Sequence, residues 1–215
     1  MNYNLKMAST SGANKQADDK FLNEIQATRE KTAASIRNFS FNKNRGRLLS
    51  ANDEVANGKS GIVYWMSRDQ RIQDHWGLLF SQDLALTNKL PLHVIFCLTD
   101  KFLGAPLRHY KFMFDGLKEV ADGLEQLNIP FHLLRGEHAV EIPKFVKNLN
   151  IGCLICDFSP LKIHREWVDG IKSKLPANVP FIQIDSHNIV PLWIASTHEE
   201  SAAYTFRPKI NAKIG

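Results

Sequence analysis

Four charged side chains stand together directly after the apolar run at residues 61–66. Arg68, Asp69, Arg71 and Asp74 fall within seven residues. Mutual ion pairing would keep such a turn ordered beside a protein interior, whereas composition alone is equally compatible with a solvated loop. The turn becomes a candidate site where the fold brings a second polar segment to it.

A second polar segment follows the apolar run at residues 152–158. Asp157 stands at the end of this run, and Ser159 and Pro160 come next. Serine is a favoured helix cap, and proline is tolerated as the first helical residue. We therefore expect Ser159 to cap the following helix, with ligand contact as the alternative.

The positions of the glycines argue strongly against a nucleotide-binding loop. The turn MSRDQR at 66–71 has none, although a dinucleotide site needs glycines there so that the backbone can approach pyrophosphate. The triplet Gly58-Lys59-Ser60 resembles the end of a phosphate-binding P-loop. However, Asp53 occupies the position of its first glycine, and the triplet precedes a strand instead of following one.

Metal, hydrolase and redox patterns are also missing from the sequence. The eight histidines show no clustered ligand spacing, so no metal site is expected, and no G-x-S-x-G nucleophile turn occurs. Cys153 and Cys156 form a C-x-x-C pair inside a predicted strand, where residues three apart point to opposite faces. With Cys97 they are predicted to be buried, reduced thiols, and the four tryptophans to serve in core packing.

Short apolar runs alternate with amphipathic patterns beyond residue 60. The runs are continuous, as expected for parallel strands whose two faces are both covered by helices. Strands are predicted at 61–66, 92–98, 130–134, 152–158 and 179–185. Helices are predicted at 74–88, 107–127, 139–149 and 162–175. This alternation predicts an α/β fold with a five-stranded, doubly wound parallel sheet.

Such a sheet binds ligands at the carboxyl ends of its strands, where the winding direction reverses. With an assumed strand order of 3-2-1-4-5, that point lies between the first and fourth strands. The residues predicted to form a binding crevice there are Met66, Ser67, Arg68, Asp157, Phe158 and Ser159.

Residues 1–60 differ from the rest in composition. They carry ten lysines and arginines against six acidic residues, whereas the remaining residues carry seventeen against sixteen. We predict a polar, basic N-terminal extension over 1–60, largely disordered, with one amphipathic helix within 21–39. The α/β domain is predicted over 61–205. The sequence has neither a secretory signal nor an apolar stretch long enough for a membrane span.

From Tyr64 onward the sequence resembles a known family. The segment YWMSRDQRIQDHWGLLFSQ (64–82) is similar to the opening signature of the photolyase/cryptochrome superfamily, in the form of the class II cyclobutane pyrimidine dimer photolyases. The resemblance continues through DFSPL (157–161), DSHNIVPLW (185–193) and TFRPKI (205–210). His75 and Gly77 depart from the pattern, since the family usually has Asn and Ala there.

The resemblance implies a deoxyribodipyrimidine photo-lyase activity, in which light drives electron transfer from reduced FAD to a dimer in DNA. It also implies that the α/β domain is a scaffold and an antenna domain, whose crevice would hold a chromophore of the 8-hydroxydeazaflavin or folate type. In this family FAD binds to a C-terminal helical domain. Residues 206–215 resemble the start of the interdomain linker, so no catalytic residue is expected within these 215 positions.

The partners that the resemblance implies are damaged DNA and the C-terminal helical domain, with no membrane or metal. A nuclear or cytoplasmic location is expected instead of secretion. Two alternatives stay open: a truncated, non-catalytic module that binds a chromophore or a protein, and a fragment of a cryptochrome-like photoreceptor.

Overall fold

The computed structural model describes residues 41–57 and 59–214. The helix predicted within 21–39 therefore lies outside the described residues.

The described chain forms one six-stranded sheet in the order β1-β6-β5-β2-β3-β4. The strands are β1 (Gly46–Leu48), β2 (Ile62–Trp65), β3 (Leu92–Leu98), β4 (Phe131–Arg135), β5 (Cys153–Asp157) and β6 (Phe181–Ile184). Strands β2 to β6 pair parallel with one another. They are the five predicted strands in the assumed order, so the predicted fold class is confirmed and the winding reverses between β2 and β5.

The sixth strand was not predicted. β1 pairs antiparallel with β6 at the edge of the sheet, within the stretch that composition assigns to the polar extension. Its three residues, Gly, Arg and Leu, contain no apolar run, and only its pairing with β6 identifies it as a strand.

Four long helices connect the parallel strands, and each lies within two residues of its predicted bounds. They are α1 (Trp76–Asn88), α2 (Leu107–Gln126), α3 (His138–Asn148) and α4 (Lys162–Lys174). A 3-10 helix, Lys43–Arg45, precedes β1, and two further helices, α5 (Leu192–Ala195) and α6 (Ala203–Ile214), follow β6. None of the described helices combines the length and the apolar character that crossing a membrane requires.

The sheet separates two layers of core, because successive side chains of a strand point to opposite faces. Tyr64 and Met66 pack with apolar residues of α1 and α2 on one face. Val63 and Trp65 pack with apolar residues of α3 and α4 on the other. Every residue of β2 and β5 is buried, which explains why these strands appear in the sequence as continuous apolar runs.

The three cysteines are free and buried, as predicted. Burial raises the pKa of both Cys97 and Cys153 to about 12. Thiols with such pKa values carry almost no thiolate at neutral pH, so they are poor nucleophiles and poor redox groups.

Candidate functional site

Hydrogen bonds join the carboxyl ends of β2 and β5, the two strands at which the winding reverses. Asp157 is buried, and its Oδ2 accepts from the backbone N–H groups of Ser67 at 3.1 Å and Arg68 at 3.0 Å. The guanidinium of Arg68 donates to the carbonyl of Phe158 at 3.0 Å. The predicted crevice is therefore bridged by the chain itself.

Behind this bridge, Asp157 belongs to a buried polar group with Tyr64 and His75. The hydroxyl of Tyr64 donates to Asp157 Oδ1 at 2.7 Å and lies 2.9 Å from His75 Nε2. Since His75 Nδ1 accepts from the N–H of Leu78 at 3.4 Å, the network assigns the ring proton to Nε2, which donates to Tyr64. His75 thereby caps α1 and is fully buried. All three side chains have hydrogen-bond partners without a ligand.

Burial acts in the same direction on the two acidic groups of this network, since it raises the pKa of both. Desolvation raises the pKa of Asp157, while His75, the Tyr64 hydroxyl and the two backbone N–H groups lower it. Desolvation also raises the pKa of Tyr64, and the charge of Asp157 raises it further. Tyr64 is therefore a neutral donor at physiological pH.

Gly77 lies against all three of these side chains. A Cβ on Gly77 would stand 3.0 Å from Tyr64 Cε2, 3.2 Å from Asp157 Oδ1 and 3.2 Å from His75 Cε1. These distances are shorter than ordinary van der Waals contact. A methyl group at position 77 would therefore crowd the imidazole of His75 as well as Tyr64 and Asp157.

The remaining predicted crevice residues have separate environments. Met66 is fully buried in the core layer beneath α1 and α2. Phe158 packs edge-on against Trp193, with ring centroids 5.4 Å apart. Ser159 Oγ accepts from the N–H of Leu161 at 3.4 Å. The cap predicted for Ser159 is wrong, because α4 begins at Lys162 and Leu161 holds the capping position.

Two contacts of the charged turn after β2 are a bond to a backbone carbonyl and a contact to a distant loop, and its mutual ion pairing stays a prediction. Arg71 donates to the backbone carbonyl of Asp74 at 3.2 Å. Asp69 Oδ1 lies 3.4 Å from His187 Nδ1, across the sheet end in the loop after β6. Short-range carbonyl contacts and one contact to a distant loop therefore order this turn.

An open cavity of about 410 Å³ lies at the carboxyl ends of β2 and β3. This volume is within the usual range of small-molecule sites. Aromatic side chains from five segments form much of its wall: Trp65, Phe96, Phe102, Tyr110 and Trp167. Of the six predicted crevice residues, Ser67 lines this cavity. The assignment of all six to a ligand site stays a prediction.

Two histidines add flat, uncharged surface to the cavity wall. His138 stacks on Trp167 with ring centroids 3.8 Å apart and an interplanar angle of 10°. Burial, reinforced by His164, lowers the pKa of His138 to about 4. Burial also lowers the pKa of His164, with Arg68 contributing. At neutral pH these imidazoles are therefore uncharged, which suits a planar aromatic ligand.

Sequence reasoning missed this cavity because its residues come from distant segments. Thr99 follows β3, His138 begins α3, and His164 and Trp167 lie on α4. The polar residue directly after β3 is the one feature of the sequence that could have indicated this cavity. However, the rule that ligands bind where the winding reverses favours the ends of β2 and β5 instead. In the described ranges, no group of three or more histidine, cysteine or acidic side chains is placed to hold a metal ion.

Residues 62–214 match the protein family described as DNA photolyase. A protein named deoxyribodipyrimidine photo-lyase from Potorous tridactylus is 49% identical over 206 residues, which cover 95% of this chain and 38% of that protein. A protein of the same name from Arabidopsis thaliana is 40% identical over 150 residues, covering 70% of this chain and 30% of that one. The chain thus spans about a third of the length of these curated relatives.

A solved structure supports the fold independently. The crystal structure of a cryptochrome from Synechocystis sp. PCC6803 superposes with a TM-score of 0.61 at 15% identity, over 72% of this chain and 34% of that one. At this identity the likeness concerns the fold alone.

Proposed function

The chain belongs to the DNA photolyase family, and we propose that it is the N-terminal portion of a class II deoxyribodipyrimidine photo-lyase. Its architecture is that of the N-terminal α/β domain of the photolyase/cryptochrome superfamily. In this proposal the whole protein repairs cyclobutane pyrimidine dimers in DNA, by light-driven electron transfer from reduced FAD. We further propose a nuclear or cytoplasmic location, which imaging of a fluorescent fusion would test.

One observation carries the proposal. The identity of 49% to the Potorous tridactylus photo-lyase extends over 206 residues, and the relatives from two plants are each 40% identical. All of these proteins are named as the same enzyme. This agreement favours a repair enzyme over a signalling photoreceptor, because the likeness to a cryptochrome is one of fold.

Within the whole protein, we propose that this portion is a scaffold and holds an antenna chromophore in the cavity beside β2 and β3. The fit rests on the flat side chains of the wall, since Trp65, Phe102 and Trp167 give planar surfaces against which a conjugated ring packs. A chromophore of the 8-hydroxydeazaflavin or folate type would supply light absorption. The chain's own residues would bind it, orient it and exclude water.

A chimera tests the proposed repair function. The aligned region of the Potorous tridactylus photo-lyase is replaced by this chain, and repair of a thymine dimer in an oligonucleotide is followed under blue light. We expect light-dependent repair by the chimera, with no repair in the dark and none by this chain alone. A chimera that folds and retains FAD but leaves the dimers intact in the light would contradict the proposal.

A further inference from the structure

β4 is the outermost strand at one end of the sheet, and in the described sheet it pairs with β3 alone. The parallel pairing fixes which of its backbone groups are used. The N–H of Val94 donates to the carbonyl of Pro130 at 2.9 Å, and the N–H of Gly136 donates to the carbonyl of Leu98 at 3.0 Å. In a parallel ladder, alternate residues of a strand bond to the same neighbour. The even-numbered residues of β4 therefore face β3.

The odd-numbered residues of β4 direct their N–H and C=O groups away from the sheet. They are Phe131, Leu133 and Arg135. Backbone groups along such an edge are a template for another strand, and proteins often protect an edge with charge, proline or short length. β4 contains no proline, and its charged residue, Arg135, stands at its end and pairs with Asp100. The middle of this edge is therefore unprotected.

The side chain at the middle of the edge is apolar and open to solvent. Leu133 is 49% exposed, whereas Phe131 is half-buried and packs against the core layer beneath α1 and α2. The exposed side chain and the outward backbone groups of Leu133 lie at the same place. A second strand laid along β4 would cover the apolar surface and bind the backbone groups together.

The symmetric spacing of the outward residues identifies the strand that fits this edge. Two copies of β4 related by a two-fold axis at Leu133 run antiparallel. Leu133 then faces Leu133 of the second copy, and Phe131 faces Arg135 of the second copy. In each of these pairs the two residues exchange both N–H···O bonds, so every outward backbone group finds a partner. The facing side chains suit each other, because leucine packs on leucine and the arginine guanidinium lies against the phenylalanine ring.

We propose that the chain forms a two-fold symmetric dimer through antiparallel pairing of β4 with β4 of a second copy, which joins the two sheets into one. The opposite edge of the sheet is less suited to this role, because β1 has three residues and begins with a glycine. The dimer does not depend on the proposed repair function, so either proposal can fail while the other stands.

Sedimentation velocity of the full chain over a series of concentrations tests this proposal. We expect the wild type to show an equilibrium between monomer and dimer. Leu133→Lys should weaken the dimer at least roughly tenfold, because two ammonium groups would face each other across the two-fold axis. Leu86→Lys is the matched control, since Leu86 is 65% exposed on α1, and it should leave the dimer at wild-type strength. Circular dichroism confirms that each variant is folded.

A mixture of two variants tests the register. Leu133→Glu alone should weaken the dimer as Leu133→Lys does, because two carboxylates would then face each other. In an equal mixture of the two variants we expect dimers to return, because position 133 meets itself across the axis and the mixed pair has opposite charges. Association through some other apolar surface gives no reason for this recovery.

Amide exchange followed by NMR tests the backbone pairing itself. The N–H of Leu133 should exchange more slowly in concentrated than in dilute protein, whereas the N–H groups of His132 and Leu134, which face β3, should be protected in both. A wild type that is monomeric at every concentration overturns the proposal. It is equally overturned by a dimer that both substitutions at position 133 leave intact, by a loss that mixing does not restore, or by a Leu133 amide that the dimer does not protect.

Discussion

At the residue scale, the buried group of Tyr64, His75 and Asp157 brings His75, which caps α1, close to Gly77 in the first turn of α1. His75 is fully buried and Gly77 leaves no room for a methyl group beside it. We expect Gly77→Ala to lower the free energy of unfolding by about 1–3 kcal/mol, because overpacking forces side chains out of their preferred conformations. Chemical denaturation of the wild type and the variant measures this loss.

The double variant His75→Asn/Gly77→Ala is the matched control for that steric account. Asparagine is smaller than histidine and can still cap α1, so the second substitution should cost less in its presence. A double-mutant cycle gives the coupling directly. Equal costs of Gly77→Ala in the two backgrounds would show that the two positions are independent.

The stacked imidazole of His138 makes the free energy of unfolding depend on pH. Burial holds the pKa of His138 at about 4 in the folded chain, whereas the unfolded chain has the ordinary value of about 6.5. Between these values the unfolded state binds the proton and the native state does not, so the free energy of unfolding falls as the pH is lowered from 6.5 to 4. The loss from this group amounts to about 3 kcal/mol.

His138→Phe isolates that contribution, since phenylalanine retains the stack on Trp167 and cannot titrate. Unfolding measured at several pH values should show a shallower decline for the variant than for the wild type. Burial also lowers the pKa of His93, His132 and His164, and these groups keep part of the slope in both proteins. Parallel curves would contradict the assignment to His138.

Asp157 shows which features of a site can be predicted from the sequence and which cannot. Its place at the end of a buried strand was predictable, because strand ends follow from apolar runs. The direction of its carboxylate, which turns inward to two backbone N–H groups and Tyr64, depends on three-dimensional neighbours. A polar residue at a strand end can therefore be predicted, but its partner cannot.

At the scale of elements, one arginine joins the 3-10 helix directly before the edge strand β1 to the loop after β6. The guanidinium of Arg45 donates to the carbonyls of Asp185, Asn188 and Ile189 at 2.8–3.1 Å and lies 4.7 Å from the ring centroid of Trp76. We expect Arg45→Lys to lower the free energy of unfolding by about 2–3 kcal/mol, because the ammonium of lysine cannot make the hydrogen bonds of a planar guanidinium. It should also speed amide exchange in the loop at 187–189.

Arg135→Lys provides a matched control in the same assays. Arg135 is exposed and pairs with Asp100 at 2.7 Å, and exposed ion pairs contribute about 0–1 kcal/mol. We expect a small loss of unfolding free energy for Arg135→Lys and a large one for Arg45→Lys. Similar losses at the two arginines would contradict the role assigned to Arg45.

Elements that depend on a local apolar pattern can be predicted from the sequence, whereas elements held by long-range contacts cannot. The central strands β2 and β5 are buried on both faces, so they stand out in the sequence as continuous apolar runs. β1 is held by its pairing with β6 and by Arg45, which are long-range contacts. α6 spans residues 203–214 and contains Pro208, a residue that disfavours a helix interior and masks the element in the sequence.

At the scale of the whole molecule, the reversal of the winding between β2 and β5 was predictable, but the position of the open cavity was not. The polar side chains at the reversal point bridge the two strands, and the aromatic cavity lies beside β2 and β3. Fold rules locate the end of the sheet that binds ligands. Which gap at that end stays open is decided by side-chain packing, which requires the structure.

The most direct test of the account is the action spectrum of dimer repair by the photo-lyase chimera, with and without bound 8-hydroxydeazaflavin. Ala105→Trp, which places a large side chain in the cavity wall, is the matched variant. We expect the chromophore to increase repair within its own absorption band, and Ala105→Trp to remove this increase while repair by light absorbed at FAD persists. An action spectrum that neither the chromophore nor the variant alters would contradict the account.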